Sequence, residues 1–234
     1  MNLGISGKRA LVVGASKSIG LAVAAELWTL GCNVTGIARS KPENMPYRNI
    51  QADLTHRNTL DAVCDTIGDF DIVVHAIGGS AGMTQTWGNA DHWEPVWRLN
   101  LGIPHDINRI VVPGMIERGW GRIVHISSIS TKAHIGYAPY QSAKAAVEGY
   151  VQAVGKELAP TGVVMTCVAP GVIWTEGRHF ANMSESERNE YIKNFIPAGR
   201  LGRAEEVAQV IAFLCSESSS YMSGSIIRVD GAGR

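Results

Sequence analysis

The sequence has no long apolar run, no surplus of either charge and few cysteines. None of its apolar stretches approaches the roughly 20 residues that a membrane-spanning helix needs. Its 21 Lys and Arg residues balance 21 Asp and Glu residues, which argues against nucleic acid or an anionic membrane as the main partner. The four cysteines form no C-x-x-C pair and have no metal-ligand spacing, so we expect buried reduced thiols and no metal site.

Pro/Ser-rich linkers, charge blocks and internal repeats are also missing, and 45% of the residues are apolar. We therefore expect one domain, residues 1–234, with a sizeable core. The first residues, Met1 to Lys8, lack the basic-then-apolar order of a secretion signal, which predicts a cytoplasmic protein. Glycine, in contrast, is abundant: 26 of the 234 residues are glycine, about 11%, whereas about 7% is typical. This surplus predicts many tight turns or close backbone approaches.

Short apolar, β-branched runs recur between longer amphipathic segments. This pattern predicts an α/β protein in which parallel strands are joined by crossover helices. The expected architecture is a doubly wound parallel sheet of the Rossmann type, with helices on both faces. Seven strands are predicted, at Arg9–Val13, Asn33–Ile37, Arg48–Ala52, Asp71–His75, Arg122–Ile126, Val163–Val168 and Ser225–Val229.

Several helices have predictable ends or faces. Asp91 with Glu94, and Ser184 with Glu187, have the spacing of an N-cap with a reciprocal carboxylate. Pro139 suits a first helical position. In the last long helix, apolar residues at i, i+3, i+4 and i+7 predict one stripe that faces the sheet: Val207, Val210, Ile211 and Leu214.

A glycine-rich turn joins the first predicted strand to a predicted helix at Leu21–Leu30. It reads Gly14-Ala-Ser-Lys-Ser-Ile-Gly20, and at such a turn a pyrophosphate can meet a helix N-terminus. Gly14 permits the tight turn, and Gly20 lets the helix and the strand pack closely. The turn predicts a dinucleotide site; the alternative is that the glycines only reverse the chain.

Tyr140 and Lys144 are four residues apart, so on a helix they lie on one face, one turn apart. The strand Arg122–Ile126 runs into a serine pair that ends at Ser128, and ligands bind at the carboxyl ends of strands in an open parallel sheet. A tyrosine hydroxyl exchanges protons poorly at neutral pH unless a nearby ammonium stabilises the phenolate. Ser128 can then hold a substrate oxygen.

These segments resemble the short-chain dehydrogenase/reductase family, and the resemblance spans nearly the whole chain. The turn from Gly14 to Gly20 is similar to the family's T-G-x-x-x-G-x-G, and G-R-I-V-H-I-S-S followed by Y-x-x-x-K is similar to its active-site segment. The single-domain 3-oxoacyl-[acyl-carrier-protein] reductases are the most similar subgroup. The resemblance implies catalytic roles for Asn100, Ser128, Tyr140 and Lys144. It implies cofactor binding by Gly14, Ser16, Lys17, Ser18, Ile19, Gly20, Arg39, Ser40, Asp53, Leu54, Ala76, Gly78, Tyr140, Lys144, Pro170, Gly171, Ile173 and Thr175.

Four further segments support these assignments by resemblance. Asp53-Leu54 matches the residues that the family places against adenine, and Trp93, seven positions before Asn100, matches the helix of the fourth catalytic residue. The segment from Pro170 to Thr175 matches the P-G-x-x-x-T turn, whose threonine binds the nicotinamide carboxamide. Residues 175–200 are similar to the family's mobile lid over the substrate; they include Arg178, His179, Phe180, Met183 and Tyr191.

Three departures from the family pattern leave alternatives open. Ser18 replaces the middle glycine of the turn, where it either crowds the cofactor or bonds a phosphate. His75 replaces an asparagine, and it is either a structural residue or a group near the ribose. Ser128 lies 12 residues before Tyr140, one fewer than is common in the family, so Ser127 is an alternative to Ser128.

Other histidines and tryptophans receive structural interpretations. His125 and His134 are expected to be strand and loop residues. Four tryptophans are expected in the core or on a subunit surface: Trp87, Trp93, Trp97 and Trp120. Trp174 lies inside the turn that ends at Thr175, so it contacts either the substrate or the lid.

The end of the second predicted strand indicates which nicotinamide cofactor is used. Enzymes of this plan that prefer NAD carry an acidic residue there, which bonds the ribose 2′-hydroxyl. Ala38 takes that place, Arg39 follows it, and Lys17 comes from the glycine-rich turn. Two cations can flank a 2′-phosphate, which predicts NADP(H); the alternative is that both are solvated surface charges.

The leading hypothesis is an NADP(H)-dependent reductase of a small ketone or aldehyde. Ser128 positions the substrate oxygen and Tyr140 protonates it. Lys144 stabilises the phenolate of the tyrosine and holds the nicotinamide ribose. By resemblance, Asn100 anchors a water that relays protons. Two alternatives on the same fold are a catalytically silent nucleotide-sensing module and a lyase that uses no nicotinamide. A silent module has no need of the Tyr–Lys pair, and a lyase has no need of Thr175.

The resemblance also implies how copies of the chain assemble. Helices at Asp91–Arg118 and Pro139–Leu158 are expected to pair across a two-fold axis, and the final strand with its helix is expected to form a second interface. Together these two interfaces predict a D₂ homotetramer, with a dimer as the alternative.

Overall fold

Seven parallel strands form one sheet in a computed structural model that describes residues 3–42, 44–133, 137–175 and 179–233. They are β1 Arg9–Val13, β2 Asn33–Ala38, β3 Arg48–Gln51, β4 Ile72–His75, β5 Gly121–Ile126, β6 Val163–Pro170 and β7 Ile226–Val229. Their order in the sheet is β3-β2-β1-β4-β5-β6-β7. The predicted doubly wound sheet is therefore confirmed, and no strand end differs from its prediction by more than two residues.

Nine helices of the described residues connect these strands. They are α1 Ser18–Thr29, α2 Arg57–Thr66, α3 Ala90–Trp97, α4 Ile103–Glu117, α5 Ser130–Ala133, α6 Ala138–Leu158, α7 His179–Asn182, α8 Glu185–Phe195 and α9 Ala204–Leu214. A π-helical turn, Arg98–Gly102, joins α3 to α4. None of the helices in this part of the chain is both long and apolar enough to span a membrane.

Alternate residues of each strand face two different helix layers, as the two-residue period of a strand requires. Leu11 and Val13 face the layer of α2, α4 and α6, whereas Ala10 and Val12 face α1 and α9. The predicted stripe of α9 lies in the second layer, where Val207, Ile211 and Leu214 are buried and Val210 is half-buried. Helices cover both faces, so the strand ends remain the open edge of the sheet.

Four predicted helix ends need correction. The N-cap of α3 is Asn89, not Asp91, because the Asn89 side chain accepts the backbone N–H of His92. Helix α1 begins at Ser18, three residues before the predicted Leu21, and ends at Thr29, and α6 begins at Ala138, which puts Pro139 one position later than expected. The reciprocal cap of Ser184 and Glu187 is confirmed.

The four cysteines are free thiols. Three are buried as expected, and burial raises the pKa of Cys32 to about 11 and that of Cys167 to about 12, which keeps these thiols protonated. Cys64 is only half-buried and packs against the edge of the core.

The strand order reverses between β1 and β4, which are neighbours in the sheet. In open α/β sheets ligands bind in the crevice at such a reversal, outside the carboxyl ends of the strands. The fold therefore places the candidate site where β1, β4, β5 and β6 end.

Candidate active site

The glycine-rich turn packs against the end of β4. Gly14 has φ +92°, and a Cβ at this position would lie 2.8 Å from the backbone carbonyl carbon of Ala76. A Cβ on Gly20 would lie 2.1 Å from the carbonyl oxygen of Gly14. Close packing of β1, β4 and α1 thus explains both glycines, and the same packing brings the N-terminus of α1 to the mouth of the crevice.

The N-terminus of α1 is open to an anion. Its N-cap residue, Lys17, makes no capping side-chain hydrogen bond, and the first turn contains no acidic residue. The first N–H groups of a helix have no partner within the helix, and its dipole favours negative charge there. Ser18 has φ +51°, and its hydroxyl lies 2.9 Å from the Thr175 hydroxyl. Ser18 therefore joins the start of α1 to the turn that follows β6.

Two cations lie beside this opening. Lys17 and Arg39 are both exposed, and neither forms an ion pair within the described ranges. Ala38, in the place of the expected acidic residue, is the last residue of β2 and pairs with Gln51 of β3. The end of β2 thus has no carboxylate of its own, and two exposed cations outside any of the described ion pairs suit a dianionic group.

Asp53 and Leu54 follow β3 and differ in their environments. The pKa of Asp53 lies below its usual value because the hydroxyl and N–H of Thr55 both donate to its carboxylate, with smaller effects from His56 and Arg39. Leu54 is buried in the core layer of α2. The side chain of Leu54 thus serves packing, and Asp53 is the residue of the pair that faces outward.

Tyr140 and Lys144 lie one turn apart on α6, as predicted. The Lys144 Nζ is 5.7 Å from the centroid of the Tyr140 ring, and it donates to the Ile126 carbonyl oxygen at 2.6 Å. Lys144 is only 3% exposed. The ammonium of Lys144 is therefore largely shielded from water.

Asn100 lies within the π-helical turn between α3 and α4. Its amide Nδ2 donates to the carbonyl oxygens of Val96 at 2.7 Å and Gly79 at 2.8 Å, while its Oδ1 accepts the Gly79 N–H at 3.2 Å. A Cβ on Gly78 would lie 2.7 Å from Asn100 Oδ1 and 2.9 Å from Lys144 Nζ. The end of β4, the π-helical turn and α6 therefore meet at Gly78.

Ser127 and Ser128 have different surroundings. Ser127 is buried, and its hydroxyl donates to Glu148 Oε1 at 2.7 Å. Ser128 is half-buried, and its hydroxyl oxygen accepts the Ser130 N–H at 3.1 Å. Of the two hydroxyls, that of Ser128 retains a proton to donate outward, which favours Ser128 as the substrate-binding residue.

His75 and His125 stack in the core below the site, with ring centroids 4.6 Å apart. The Asn108 amide lies between them: its Oδ1 is 2.7 Å from His75 Nε2, and its Nδ2 is 3.2 Å from His125 Nε2. Burial lowers the pKa of His75 to about 4. Burial also lowers the pKa of His125, with added effects of the charges of His75 and Lys144. The Asn108 contact favours the structural interpretation of His75.

These buried histidines predict a loss of stability in acid. A histidine with a folded-state pKa below its unfolded value favours unfolding once protonated, so its stabilising effect is complete above pH 6.5 and falls as the pH approaches 4. For His75 alone, the free energy of unfolding is expected to fall by about 2 kcal/mol between pH 7.5 and pH 5. Urea denaturation at both pH values measures this difference.

The His75→Asn variant, which is neutral at both pH values, is expected to lose less stability on acidification than the wild type. The exposed His92 supplies the control, since His92→Asn is expected to keep the wild-type difference. Equal acid losses in the wild type and in His75→Asn would contradict the burial of a neutral His75.

The turn after β6 closes the other side of the crevice. Pro170 ends β6 and is buried, and a Cβ on Gly171 would lie 2.7 Å from Asp230 Cα. Ile173 forms an isolated parallel bridge with Gly202. These backbone contacts fix the turn, and Thr175 at its end reaches Ser18.

Trp174 is 41% exposed, and the Arg188 guanidinium lies 5.2 Å from its ring centroid. Tyr191 of α8 contacts both Phe180 and Phe195, with centroid distances of 4.9 Å each. The predicted lid thus contains an aromatic cluster, and Trp174 contacts the lid through Arg188. Arg178 and His134 lie outside the described residues.

The structure thus brings most of the predicted site residues to one edge of the sheet. Ser16 and Ser40 lie in the same turns as the two cations, Ile19 is the second residue of α1, and Ala76 borders the glycine-rich turn. Glu148 was missed from the sequence, although its spacing of four residues from Lys144 places it on the same face of α6. That spacing is the signal that would have found it.

The chain is similar to known proteins over nearly its whole length. Residues 14–232 match the profile of a family described as Enoyl-(Acyl carrier protein) reductase. The chain is similar to a 3-oxoacyl-[acyl-carrier-protein] reductase of Pseudomonas aeruginosa, with 32% identity over 98% of each chain.

Two solved structures are similar to the whole chain. The L-sorbose reductase of Gluconobacter frateurii, complexed with NADPH and L-sorbose, has a TM-score of 0.87 and 28% identity, with 99% of this chain and 98% of that chain covered. A 3-oxoacyl (acyl-carrier-protein) reductase of Agrobacterium tumefaciens C58 with NADP bound has a TM-score of 0.88 and 26% identity, with 97% and 94% covered.

Proposed function

The chain belongs to the short-chain dehydrogenase/reductase family, and from this premise we propose that it is an NADP(H)-dependent oxidoreductase that reduces a ketone or an aldehyde to an alcohol. One observation carries the proposal. Tyr140, the buried Lys144 and the half-buried Ser128 lie at the carboxyl ends of parallel strands, beside the open N-terminus of α1. A proton donor and an anion site thus share one crevice.

The described residues fit a phosphorylated dinucleotide. The uncapped start of α1, with no acidic residue in its first turn, suits a pyrophosphate. Exposed Lys17 and Arg39 suit a 2′-phosphate. We assign Thr175 to the nicotinamide carboxamide and Lys144 to its ribose. When bound, NADP(H) supplies the hydride that reduces the carbonyl carbon.

The side chains of the site bind the substrate oxygen and donate a proton to it. Ser128 donates a hydrogen bond to the carbonyl oxygen and holds it near Tyr140. The Tyr140 hydroxyl then gives its proton to the oxygen as negative charge develops there. Lys144 stabilises the phenolate that remains, because a buried ammonium interacts strongly with a nearby negative charge. Asn100, which fixes the backbone at Gly79, is assigned to the water that returns a proton.

A screen of NADPH oxidation across carbonyl classes tests this function. The panel contains 3-oxoacyl thioesters, ketoses, simple aldehydes and cyclic ketones, because the similar proteins are named for 3-oxoacyl and sorbose substrates. At least one class is expected to be reduced with saturation kinetics. Tight NADPH binding without turnover on any class would favour the silent nucleotide-sensing module instead.

The proposal treats residues 1–234 as one cytoplasmic catalytic domain, with a lid at about residues 175–200. The lid contributes the aromatic cluster around Tyr191, next to Trp174. Closure of such a segment would exclude water from the crevice and select the substrate. Its apolar and basic groups fit carbonyl compounds of more than one class.

We also propose a homotetramer in which α3, α4 and α6 pair across one two-fold axis, while β7 with its helix α9 forms a second interface. An open groove of about 840 Å³ runs along α3 and the π-helical turn, and Trp87 and Trp97 on its walls are 96% and 49% exposed. Contiguous exposed apolar surface of this kind marks protein interfaces. Light scattering is expected to give a tetramer for the wild type.

The Trp97→Glu variant is expected to form a smaller assembly, since it buries a charge in the proposed interface. Trp28→Glu, at an exposed tryptophan of α1, serves as the matched control and keeps the wild-type mass. A stable wild-type monomer would contradict the proposed assembly, and a wild-type dimer would leave one of the two interfaces.

A further inference from the structure

The turn that carries Ser128 is tied to α6 by a single carboxylate oxygen. Glu148 Oε1 accepts a hydrogen bond from the Ser127 hydroxyl at 2.7 Å and another from the Thr131 hydroxyl at 2.9 Å. Ser127 precedes Ser128 and Thr131 follows it by three residues. The carboxylate therefore holds the chain on both sides of the proposed substrate-binding serine.

Further contacts of the same groups tighten this turn. The Ser127 hydroxyl oxygen is also 3.3 Å from the Lys144 carbonyl oxygen, and the Thr131 hydroxyl oxygen is 3.0 Å from the Ser128 carbonyl oxygen. The Ser127 N–H bonds the Val168 carbonyl oxygen of β6 at 2.7 Å. The turn is therefore held by β6 through its backbone and by Glu148 through its side chains, which fixes its position relative to α6.

Glu148 belongs to the same face of α6 as the proposed acid and its lysine. Tyr140, Lys144 and Glu148 follow one another at intervals of four residues, which is close to one helical turn. One rigid helix thus carries the proton donor, the cation that supports it, and the anchor of the turn that bears Ser128. Any shift of that turn changes the distance between the Ser128 and Tyr140 hydroxyls.

We propose that Glu148 is a positioning residue for the reduction: through Ser127 and Thr131 it sets the place of the Ser128 hydroxyl relative to Tyr140. The inference rests on the proposed function, since it deepens the role of the same site. Glu148 does so as a hydrogen-bond acceptor, not as a charge, because both of its donors are neutral hydroxyls. Glutamine at this position supplies an equivalent acceptor, whereas alanine supplies none.

The test compares Glu148→Ala with Glu148→Gln, using the full chain and the best substrate of the carbonyl panel. Glu148→Ala is expected to lower kcat about 10- to 100-fold, because misplacing a reacting group by about 1 Å costs about this much. Glu148→Gln is expected to restore kcat to within about fivefold of the wild type, because its amide oxygen still accepts both hydroxyls. The Kd of NADPH, followed by its fluorescence, is expected to stay unchanged in both variants.

Two single-hydroxyl variants keep the test informative if Glu148→Ala folds poorly. Ser127→Ala and Thr131→Val each remove one of the two bonds and are expected to lower kcat by less than Glu148→Ala does. In the background of Glu148→Ala, either change is expected to have little additional effect, since the shared acceptor is already gone. Glu157→Ala, which removes an exposed carboxylate from the same helix, is the control and is expected to keep wild-type kcat.

The outcomes separate this inference from the proposed function. An active wild type with unchanged kcat in Glu148→Ala would overturn the positioning role alone. Equal losses in Glu148→Gln and Glu148→Ala would also overturn it, because they would assign the effect to charge. A rise in the Kd of NADPH by the same factor as the fall in kcat would indicate a merely structural role for Glu148. That result would overturn the positioning role. A wild type that reduces no carbonyl in the panel would overturn the proposed function, and the positioning role with it.

Discussion

Replacing Tyr140 with phenylalanine is expected to lower kcat by about 10²- to 10⁴-fold, the usual contribution of a general acid–base group. Phenylalanine keeps the ring and removes the hydroxyl that we propose as the proton donor to the substrate oxygen. NADPH is expected to bind Tyr140→Phe nearly as tightly as the wild type, because the sites proposed for the 2′-phosphate and the pyrophosphate lie on other elements. Steady-state kinetics and a fluorescence titration of NADPH measure the two quantities.

Tyr137 supplies a matched control for this experiment. It lies just before α6, three residues from Tyr140, and is 51% exposed. Tyr137→Phe removes a hydroxyl from the same region and is expected to keep kcat near the wild-type value. Wild-type turnover in Tyr140→Phe would show that another group protonates the substrate oxygen.

Changing the end of β2 is expected to exchange the cofactor preference. The double variant Ala38→Asp with Arg39→Ala introduces a carboxylate that accepts hydrogen bonds from a ribose 2′-hydroxyl and repels a 2′-phosphate. It also removes one of the two exposed cations beside the site. We expect kcat/KM to favour NADPH in the wild type and NADH in the double variant.

The single variants Lys17→Ala and Arg39→Ala divide this effect between the two cations. Each charge-assisted hydrogen bond contributes on the order of 1.5–3 kcal/mol, so each loss is expected to weaken NADPH binding about 10- to 100-fold. NADH binding is expected to change little, since NADH has no 2′-phosphate. Lys156→Ala, at an exposed residue of α6, is the control for general charge. Equal kcat/KM values for NADH and NADPH in the wild type would already contradict the assignment.

The positions of the strands follow from features that are local in the sequence. Continuous apolar and β-branched runs are typical of strands buried on both faces, and each of the seven predicted strands is present. The longest error is at β6, which continues to Pro170 because Gly171 N–H still bonds the Val229 carbonyl oxygen of β7. A neighbouring strand decided that boundary, and no pattern within β6 shows it.

The interruption between α3 and α4 depends on tertiary contacts. The sequence predicts one helix over Asp91–Arg118, yet Arg98–Gly102 is a π-helical turn. There, the Asn100 amide donates hydrogen bonds to the carbonyl oxygens of Val96 and Gly79. Gly79 lies 21 residues earlier in the chain. Local helix propensity carries no information about such a distant partner.

Side-chain contacts in the site are likewise predictable only when both residues belong to one helix. The Tyr140–Lys144 spacing predicted their common face, because that relation is internal to one helix. The choice between Ser127 and Ser128 stayed open from the sequence, since it depends on Glu148 as the acceptor of the Ser127 hydroxyl. The Ser18–Thr175 contact likewise joins residues 157 positions apart.

Transfer of a labelled hydride tests the central claim most directly. The wild-type protein is incubated with its best carbonyl substrate and NADPH that carries deuterium at both C4 positions of the nicotinamide, and the alcohol is examined by mass spectrometry and NMR. The proposed function predicts an alcohol with one deuterium, bound to the carbinol carbon. An alcohol without deuterium, or no alcohol from any carbonyl of the panel while NADPH remains bound, would contradict it.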